Sequence, residues 1–164
     1  MNENNYKKML EYFRARKKAA NVLIWQNKII TSVFYIMYPV LLIMQIVKRQ
    51  QWFFTAVTAG VSFVVVSVFR YLYNKPRPYE VYNEKPLINK TTKGKSFPSR
   101  HVFCLNVIAM CWLYYCLPVG IIMLVLGAAM AATRVLTGVH FVSDVLAGAL
   151  IGIMSGIAGA LILL

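Results

Sequence analysis

The ionisable residues in the C-terminal part of the chain are few, and their types suit chemistry on a phosphate. From Phe97 onward the sequence is almost entirely apolar, yet it contains both histidines of the protein and its only aspartate. Placing an ionisable side chain in a membrane-spanning segment costs free energy, so a small set of ionisable residues in such a segment predicts a functional site. The set is Arg100, His101, Arg134, His140 and Asp144.

The first candidate pair is His140 and Asp144, which are four residues apart at the start of an apolar run. This spacing places both side chains on one face of a helix. The carboxylate can then accept a hydrogen bond from one imidazole nitrogen and leave the other nitrogen free as a nucleophile. A structural pair at a helix end would have the same spacing, so this pair alone leaves that alternative open.

A second candidate is the start of the preceding apolar run, Pro98-Ser99-Arg100-His101. Ser99 is the expected N-cap of a helix, whose free backbone N–H groups and dipole favour an anion. A capped helix without a ligand is the plain alternative. His101 has no structural reason to open a membrane helix, and it could protonate a leaving oxygen.

Three arginines, Arg70, Arg77 and Arg134, complete the candidate cluster. A guanidinium group matches phosphate oxygens in a bidentate way and stays charged at any relevant pH. Arginines near membrane ends also extend to lipid headgroups, which is the alternative for Arg70. Two histidines and an aspartate could ligate a metal, but cationic neighbours would repel it and no second carboxylate completes the shell. We therefore predict neither a metal nor a cofactor.

The composition predicts an integral membrane protein, because 59% of the 164 residues are hydrophobic. A helix needs about 20 apolar residues to cross the hydrocarbon core. We therefore expect an all-α membrane helix bundle of about five transmembrane helices over 29–164, with an active-site loop at 74–97. The third and fourth segments are short, and a tilted or re-entrant pair is an alternative for them. The five segments are 29–47, 52–73, 102–117, 119–132 and 141–164.

The head of the chain, residues 1–28, carries much of the net charge of +13. Its lysines and arginines alternate with aromatic residues at helical spacing, which predicts an amphipathic helix lying on an anionic lipid surface. Nucleic acid is not an expected partner, because the basic residues lie beside membrane segments. The positive-inside rule slightly favours a cytoplasmic active site in the cell membrane.

A stripe of small residues marks the last apolar segment, where Gly148, Gly152 and Gly156 recur every four residues. Such a stripe lets another backbone approach closely. We expect it to serve packing within the bundle. A dimer contact is the alternative, so an oligomer is compatible with the stripe but is not predicted.

The three motifs together resemble the signature of the type 2 phosphatidic acid phosphatase family of membrane lipid phosphatases. That signature is Lys, six residues, Arg-Pro; then Pro-Ser-Gly-His; then Ser-Arg, five residues, His, three residues, Asp. All internal spacings agree, and three positions depart, with Arg70 for Lys, Arg100 for Gly and Thr133 for Ser. Family members commonly have six spans. The matching segments are Arg70 to Arg77-Pro78, Pro98 to His101, and Thr133-Arg134 to His140 and Asp144.

The resemblance implies a metal-independent hydrolase in which His140 attacks phosphorus, Asp144 orients it, and His101 protonates the leaving oxygen. It implies a lipid phosphomonoester or diphosphate as substrate, such as phosphatidic acid, phosphatidylglycerol phosphate or a polyprenyl phosphate. A phosphotransferase with the same nucleophile and a non-catalytic lipid-phosphate-binding or transport bundle are the alternatives. The implied phosphate-binding residues are Arg70, Arg77, Ser99, Arg100 and Arg134, with Lys75 and Thr133 as further candidates.

Overall fold

The chain folds as an α-helical bundle, which confirms the predicted fold class. The computed structural model describes residues 2–163, and these contain seven helices and no strand. The helices are α1 (Glu3–Ala15), α2 (Lys17–Val47), α3 (Trp52–Tyr73), α4 (Pro78–Val81), α5 (Arg100–Tyr115), α6 (Leu117–Leu136) and α7 (Val142–Leu163).

The apolar segments make this a multi-pass membrane protein. Four stretches of the described chain are long and apolar enough to cross a membrane. The count differs from the five segments expected, because the segment predicted at 102–117 forms α5, which has 16 residues. Such a helix rises about 24 Å, less than the hydrocarbon thickness of about 30 Å. The four stretches are Lys17–Val47, Trp52–Val81, Leu117–Leu136 and Val142–Ile162.

The centre of the bundle is α5. Every side chain from Val102 to Trp112 is buried, which is typical of a helix that is apolar on all sides and enclosed by others. Helices α6 and α7 pack along it, and α2 and α3 cover its remaining faces. The N-terminus of α5 is therefore held in the middle of one end of the bundle.

The glycine stripe of α7 is the surface that contacts α5. A Cβ atom at Gly148 would lie 2.7 Å from the Ser99 carbonyl oxygen, and one at Gly152 would lie 2.5 Å from that of Phe103. A Cβ at Gly156 would overlap the side chain of Met110. The stripe therefore serves packing within the chain, where it brings the α7 backbone close to that of α5.

The head segment 1–28 forms two helices, whereas the sequence predicted one. Arg16 adopts a non-helical backbone conformation (φ −110°, ψ 72°) that ends α1, and residues from Lys17 onward continue directly into the first span as α2. Helix α1 is amphipathic, with Tyr6 and Leu10 buried and its basic residues largely exposed. It lies against the end of the bundle at which the 74–97 loop is found.

The two ends of the 74–97 loop are tied to each other. The Asn74 side-chain oxygen accepts a hydrogen bond from the Lys95 backbone N–H at 3.2 Å. The Ser96 backbone N–H donates to the Lys75 carbonyl at 2.9 Å. These bonds bring the exit of α3 next to the entrance of α5, so the motifs on either side of the loop meet at one end of the bundle.

The contact between α7 and α5 predicts the cost of enlarging Gly152. We expect Gly152→Ala to destabilise the fold by about 1–3 kcal/mol, because the added methyl group would press on the Phe103 carbonyl. Gly60→Ala is the matched control, since a Cβ there has no atom within 4 Å and alanine is the better helix former. Thermal unfolding in detergent compares the two variants. Equal melting temperatures would contradict the packing described for α7.

Candidate active site

His140 lies in the turn between α6 and α7 and is 2% exposed. Its Nδ1 atom lies 3.5 Å from Asp144 Oδ2 and 3.4 Å from Ser96 Oγ. Its Nε2 atom lies 3.4 Å from Arg77 Nη1. One ring nitrogen therefore faces oxygen acceptors, while the other faces a guanidinium group, and Nε2 is the nitrogen available to an incoming phosphate.

The Asp144 carboxylate is fully buried, and both side-chain and backbone donors surround it. Lys75 Nζ lies 2.8 Å from Oδ1, and Ser96 Oγ donates to Oδ2 at 2.5 Å. The Phe141 backbone N–H donates to Oδ2 at 3.1 Å. A buried charge is tolerated when it is paired and hydrogen-bonded in this way. The carboxylate is therefore fixed beside the Nδ1 edge of His140.

The protonation state of His140 suits a nucleophile. Burial lowers its pKa to about 4 from the ordinary value of 6.5, although the hydrogen bond to Asp144 raises it, and the positive charges of Arg77 and Arg134 lower it further. Because the folded pKa lies below the usual value, the ring is neutral at neutral pH. A neutral ring with Nδ1 protonated carries a free lone pair on Nε2.

Arg77 is held by the short helix α4, which begins immediately after it. Its backbone N–H donates to the Glu80 carboxylate at 2.8 Å, and that carboxylate also accepts from the Gly94 N–H at 2.8 Å. The Arg77 Nε atom donates to the Gly94 carbonyl at 2.9 Å. With Nε used in this way, the Nη1 end of the guanidinium group is directed toward His140.

Two buried donors beside these groups have no partner in the described chain. They are the Nε atom of Arg134, a residue that is 4% exposed, and the hydroxyl oxygen of Ser99, which is fully buried. Buried polar atoms without partners are uncommon in native proteins and call for an explanation. An oxyanion bound between α5 and α6 would satisfy both. Thr133 differs, because its hydroxyl donates within α6 to the Ala129 carbonyl at 2.8 Å.

Arg70, which the sequence predicted as a phosphate ligand, is hydrogen-bonded to the backbone in this structure. Its guanidinium group donates to the backbone carbonyls of Ser96, Pro98 and Lys95. A planar group with five N–H donors can hold several carbonyls at once, which a lysine ammonium does less well. In this structure Arg70 fastens the segment that leads into Ser99 and His101.

The side chain of Arg100, another predicted phosphate ligand, is exposed at the start of α5. Its guanidinium carbon lies 6.0 Å from the centre of the Phe63 ring, and it has no hydrogen bond or ion pair within the described residues. A backbone hydrogen bond links this turn to the start of α7, since the Ser99 N–H donates to the Asp144 carbonyl at 2.8 Å. The Arg100 side chain thus lies at the rim of the site.

The sequence did not single out two residues that the structure places in the site, Ser96 and Lys90. Ser96 contacts both His140 and Asp144. Lys90 is half-buried in the loop, where burial and the nearby charges of Arg77 and Arg134 lower its pKa. No motif spacing marks either residue, because each is one of several similar residues in the loop.

The site thus combines a neutral buried histidine, one buried carboxylate and several cationic groups at one end of a membrane helix bundle. Phosphoryl transfer depends mainly on positioning and on neutralising oxygen charge, which this arrangement supplies. The arrangement is therefore suited to chemistry on a phosphate ester. The family model of the PAP2 superfamily matches residues 50–163, and the chain belongs to that superfamily. This confirms the family predicted from the three motifs.

Known proteins resemble this chain in sequence and in fold. "Bacitracin transport permease protein BcrC" of Bacillus licheniformis is 30% identical over 103 residues, which are 60% of this chain and 51% of that protein. The chain thus spans about half the length of this curated relative. The structure of Aquifex aeolicus LpxE superimposes with a TM-score of 0.72 at 25% identity, covering 92% of this chain and 93% of that one.

A second solved structure shows the same fold at lower identity. It is the first transmembrane PAP2 type phosphatidylglycerolphosphate phosphatase from Bacillus subtilis, with a TM-score of 0.63 and 20% identity. The match covers 94% of this chain and 90% of that one. The helical arrangement described above is therefore that of known membrane phosphatases over nearly the whole chain.

The different environments of two arginines predict different effects of the same substitution. Arg70→Lys should lower the melting temperature, because each buried carbonyl left without a donor costs about 1–3 kcal/mol. Arg134→Lys should change the melting temperature much less, since the Arg134 Nε atom has no hydrogen-bond partner within the described residues, but it should impair phosphate binding. Thermal unfolding and phosphate-analogue binding separate the two effects. A larger loss of stability in the Arg134 variant would contradict these assignments.

Proposed function

We propose that this protein is a lipid phosphatase that hydrolyses a terminal phosphate from a lipid phosphomonoester or diphosphate. Phosphatidic acid, phosphatidylglycerol phosphate and polyprenyl phosphates or diphosphates are the candidate substrates. Membership of the PAP2 superfamily and the similarity to solved membrane phosphatases support this proposal. The reaction is proposed to pass through a phosphohistidine on His140 and to need no metal.

The observation that carries the lipid part of the proposal is an apolar cavity of about 480 Å³ bounded by α2, α3 and α5. His101 and Arg100 lie at its polar end, and aromatic side chains such as Tyr38 and Phe63 line the rest. An apolar chain within this cavity would carry its phosphate toward His101. A small water-soluble phosphate ester would leave the cavity unfilled and would gain less from binding.

In the first step of the proposed reaction, His140 Nε2 attacks phosphorus in line with the leaving oxygen. A P–N bond forms as the P–O bond to the lipid breaks. His101, which becomes protonated when the negatively charged phosphate binds beside it, gives its proton to the departing oxygen. Arg77, Arg134 and Ser99 would neutralise or bind the equatorial oxygens. The Asp144 carboxylate stabilises the positive charge that develops on the His140 ring.

In the second step, water replaces His140 on phosphorus. His101, now neutral, takes a proton from the water as its oxygen attacks, and the P–N bond breaks to release inorganic phosphate. The His140 ring returns to its neutral form, in which Nδ1 again faces Asp144 and Ser96. Both histidines thus end the cycle in the states in which they began it.

We further propose that the protein resides in the cell membrane with its active site on the cytoplasmic side. The basic helix α1 lies at the same end of the bundle as the site, since Arg14 contacts Glu84 of the active-site loop at 3.0 Å. The link at the other end carries only Lys48 and Arg49 between α2 and α3. Basic residues are concentrated on cytoplasmic sides, and α1 would rest on anionic headgroups there.

Two other functions are alternatives to hydrolysis, and the experiment on His140 described below also tests them. The Bacillus licheniformis relative is named a transport permease, which corresponds to a bundle that moves or binds a ligand without reacting with it. A phosphotransferase would form the same phosphohistidine but would pass the phosphate to an acceptor other than water. Such an enzyme would give a phosphorylated acceptor as product and would release little inorganic phosphate.

Substitution of the nucleophile tests the proposed chemistry. Purified protein in mixed micelles should release phosphate from at least one candidate lipid without added metal, and His140→Ala should lower turnover about a thousandfold or more. Thermal unfolding serves as the control that the variant is folded. Turnover that survived His140→Ala would refute the nucleophile assignment. A phosphorylated alcohol formed in place of inorganic phosphate, when an alcohol acceptor is added, would instead identify a transferase.

A further inference from the structure

The turn that carries His140 is short and closely restrained. Both the Val139 and the His140 backbone N–H groups donate to the Arg134 carbonyl, at 3.1 and 3.2 Å. Gly138 adopts the left-handed conformation at φ +77°, which glycine tolerates without strain. The position of the His140 ring therefore depends on what holds the peptide of Gly138.

That peptide is held by the N-terminal helix. The hydroxyl of Tyr6 donates to the Gly138 carbonyl at 2.9 Å, across 132 positions of sequence. Tyr6 and Leu10 are fully buried against the turn, and a Cβ at Gly138 would lie 2.7 Å from the Tyr6 oxygen. Burial raises the pKa of Tyr6, so the phenol stays protonated and remains a donor.

Contacts on either side of Tyr6 keep α1 in place. The Tyr6 ring lies 5.1 Å from the ring of Tyr82, which in turn lies 6.1 Å from that of Phe141, the residue after the nucleophile. Near the other end of α1, Arg14 donates to the Glu84 carboxylate and to the Lys85 carbonyl. The helix thus joins the loop after α4 to the turn before α7.

We propose that Tyr6 is a positioning residue for the nucleophile, acting through the Gly138 carbonyl to hold His140 in line with the phosphate. The inference rests on the proposed function, because the placement of His140 affects a rate only if His140 reacts. Without the phenol hydroxyl, the carbonyl loses its donor and the turn gains freedom. In-line attack tolerates little displacement, so such freedom slows the reaction more than it weakens substrate binding.

The test is Tyr6→Phe in the full-length protein, which keeps the ring and removes the donor. We expect kcat for the best candidate lipid to fall about tenfold, with KM little changed. Tyr12→Phe is the matched control, because Tyr12 lies on the same helix, is 52% exposed and makes no hydrogen bond to the turn. That variant should keep the wild-type kcat.

Hydrogen–deuterium exchange gives a readout that does not depend on activity. Exchange of the amides at 138–141 should rise in Tyr6→Phe and not in Tyr12→Phe, while α5 stays protected. An unchanged kcat in Tyr6→Phe, or an equal loss in both variants, would overturn the inference. If the wild-type protein had no turnover, the proposed function would fail. The restraint of the turn by Tyr6 would still be tested by exchange, and unchanged exchange at 138–141 in Tyr6→Phe would overturn it.

Discussion

The structure of the site depends on burying the single aspartate of the chain. The Asp144 carboxylate is fully buried, and its position requires Lys75 from the exit of α3 and Ser96 from the entrance to α5. An unpaired carboxylate there would cost several kcal/mol. Its pairing therefore draws three separate segments of sequence together, and His140 is placed by the same set of contacts.

The helices hold these segments at a common level. Because α5 is short and enclosed, its N-terminal turn is fixed by the packing of α6 and α7, and the glycines of α7 bring the Asp144 backbone within hydrogen-bond distance of Ser99. Arg70 fastens the preceding segment through its carbonyls. The Ser99 hydroxyl and the Arg134 Nε atom are buried without hydrogen-bond partners in the described chain, and this is the physical basis for the proposal that an oxyanion binds there.

The sequence predicted the helical membrane bundle, the family and the group of residues that the structure brings together at one end. Motif spacing was sufficient because His140 and Asp144 share one helix end, and Ser99 and His101 share another. Spacing could not reveal that Arg70 holds backbone carbonyls, that Ser96 lies between the carboxylate and the imidazole, or that Tyr6 contacts Gly138. These contacts join distant segments. The sequence also did not reveal that α5 is enclosed by the other helices.

The most direct test of this account is a structure of the protein with bound vanadate, which imitates five-coordinate phosphorus. The account predicts vanadium bonded to His140 Nε2, with its equatorial oxygens within hydrogen-bond distance of Arg77, Arg134 and the Ser99 hydroxyl. Asp144 should stay beside Nδ1 of the ring. Two results would contradict the assignment of this cluster as the phosphoryl-transfer site. One is vanadate bound away from His140. The other is vanadate bonded to His140 while the Ser99 and Arg134 donors still have no partner.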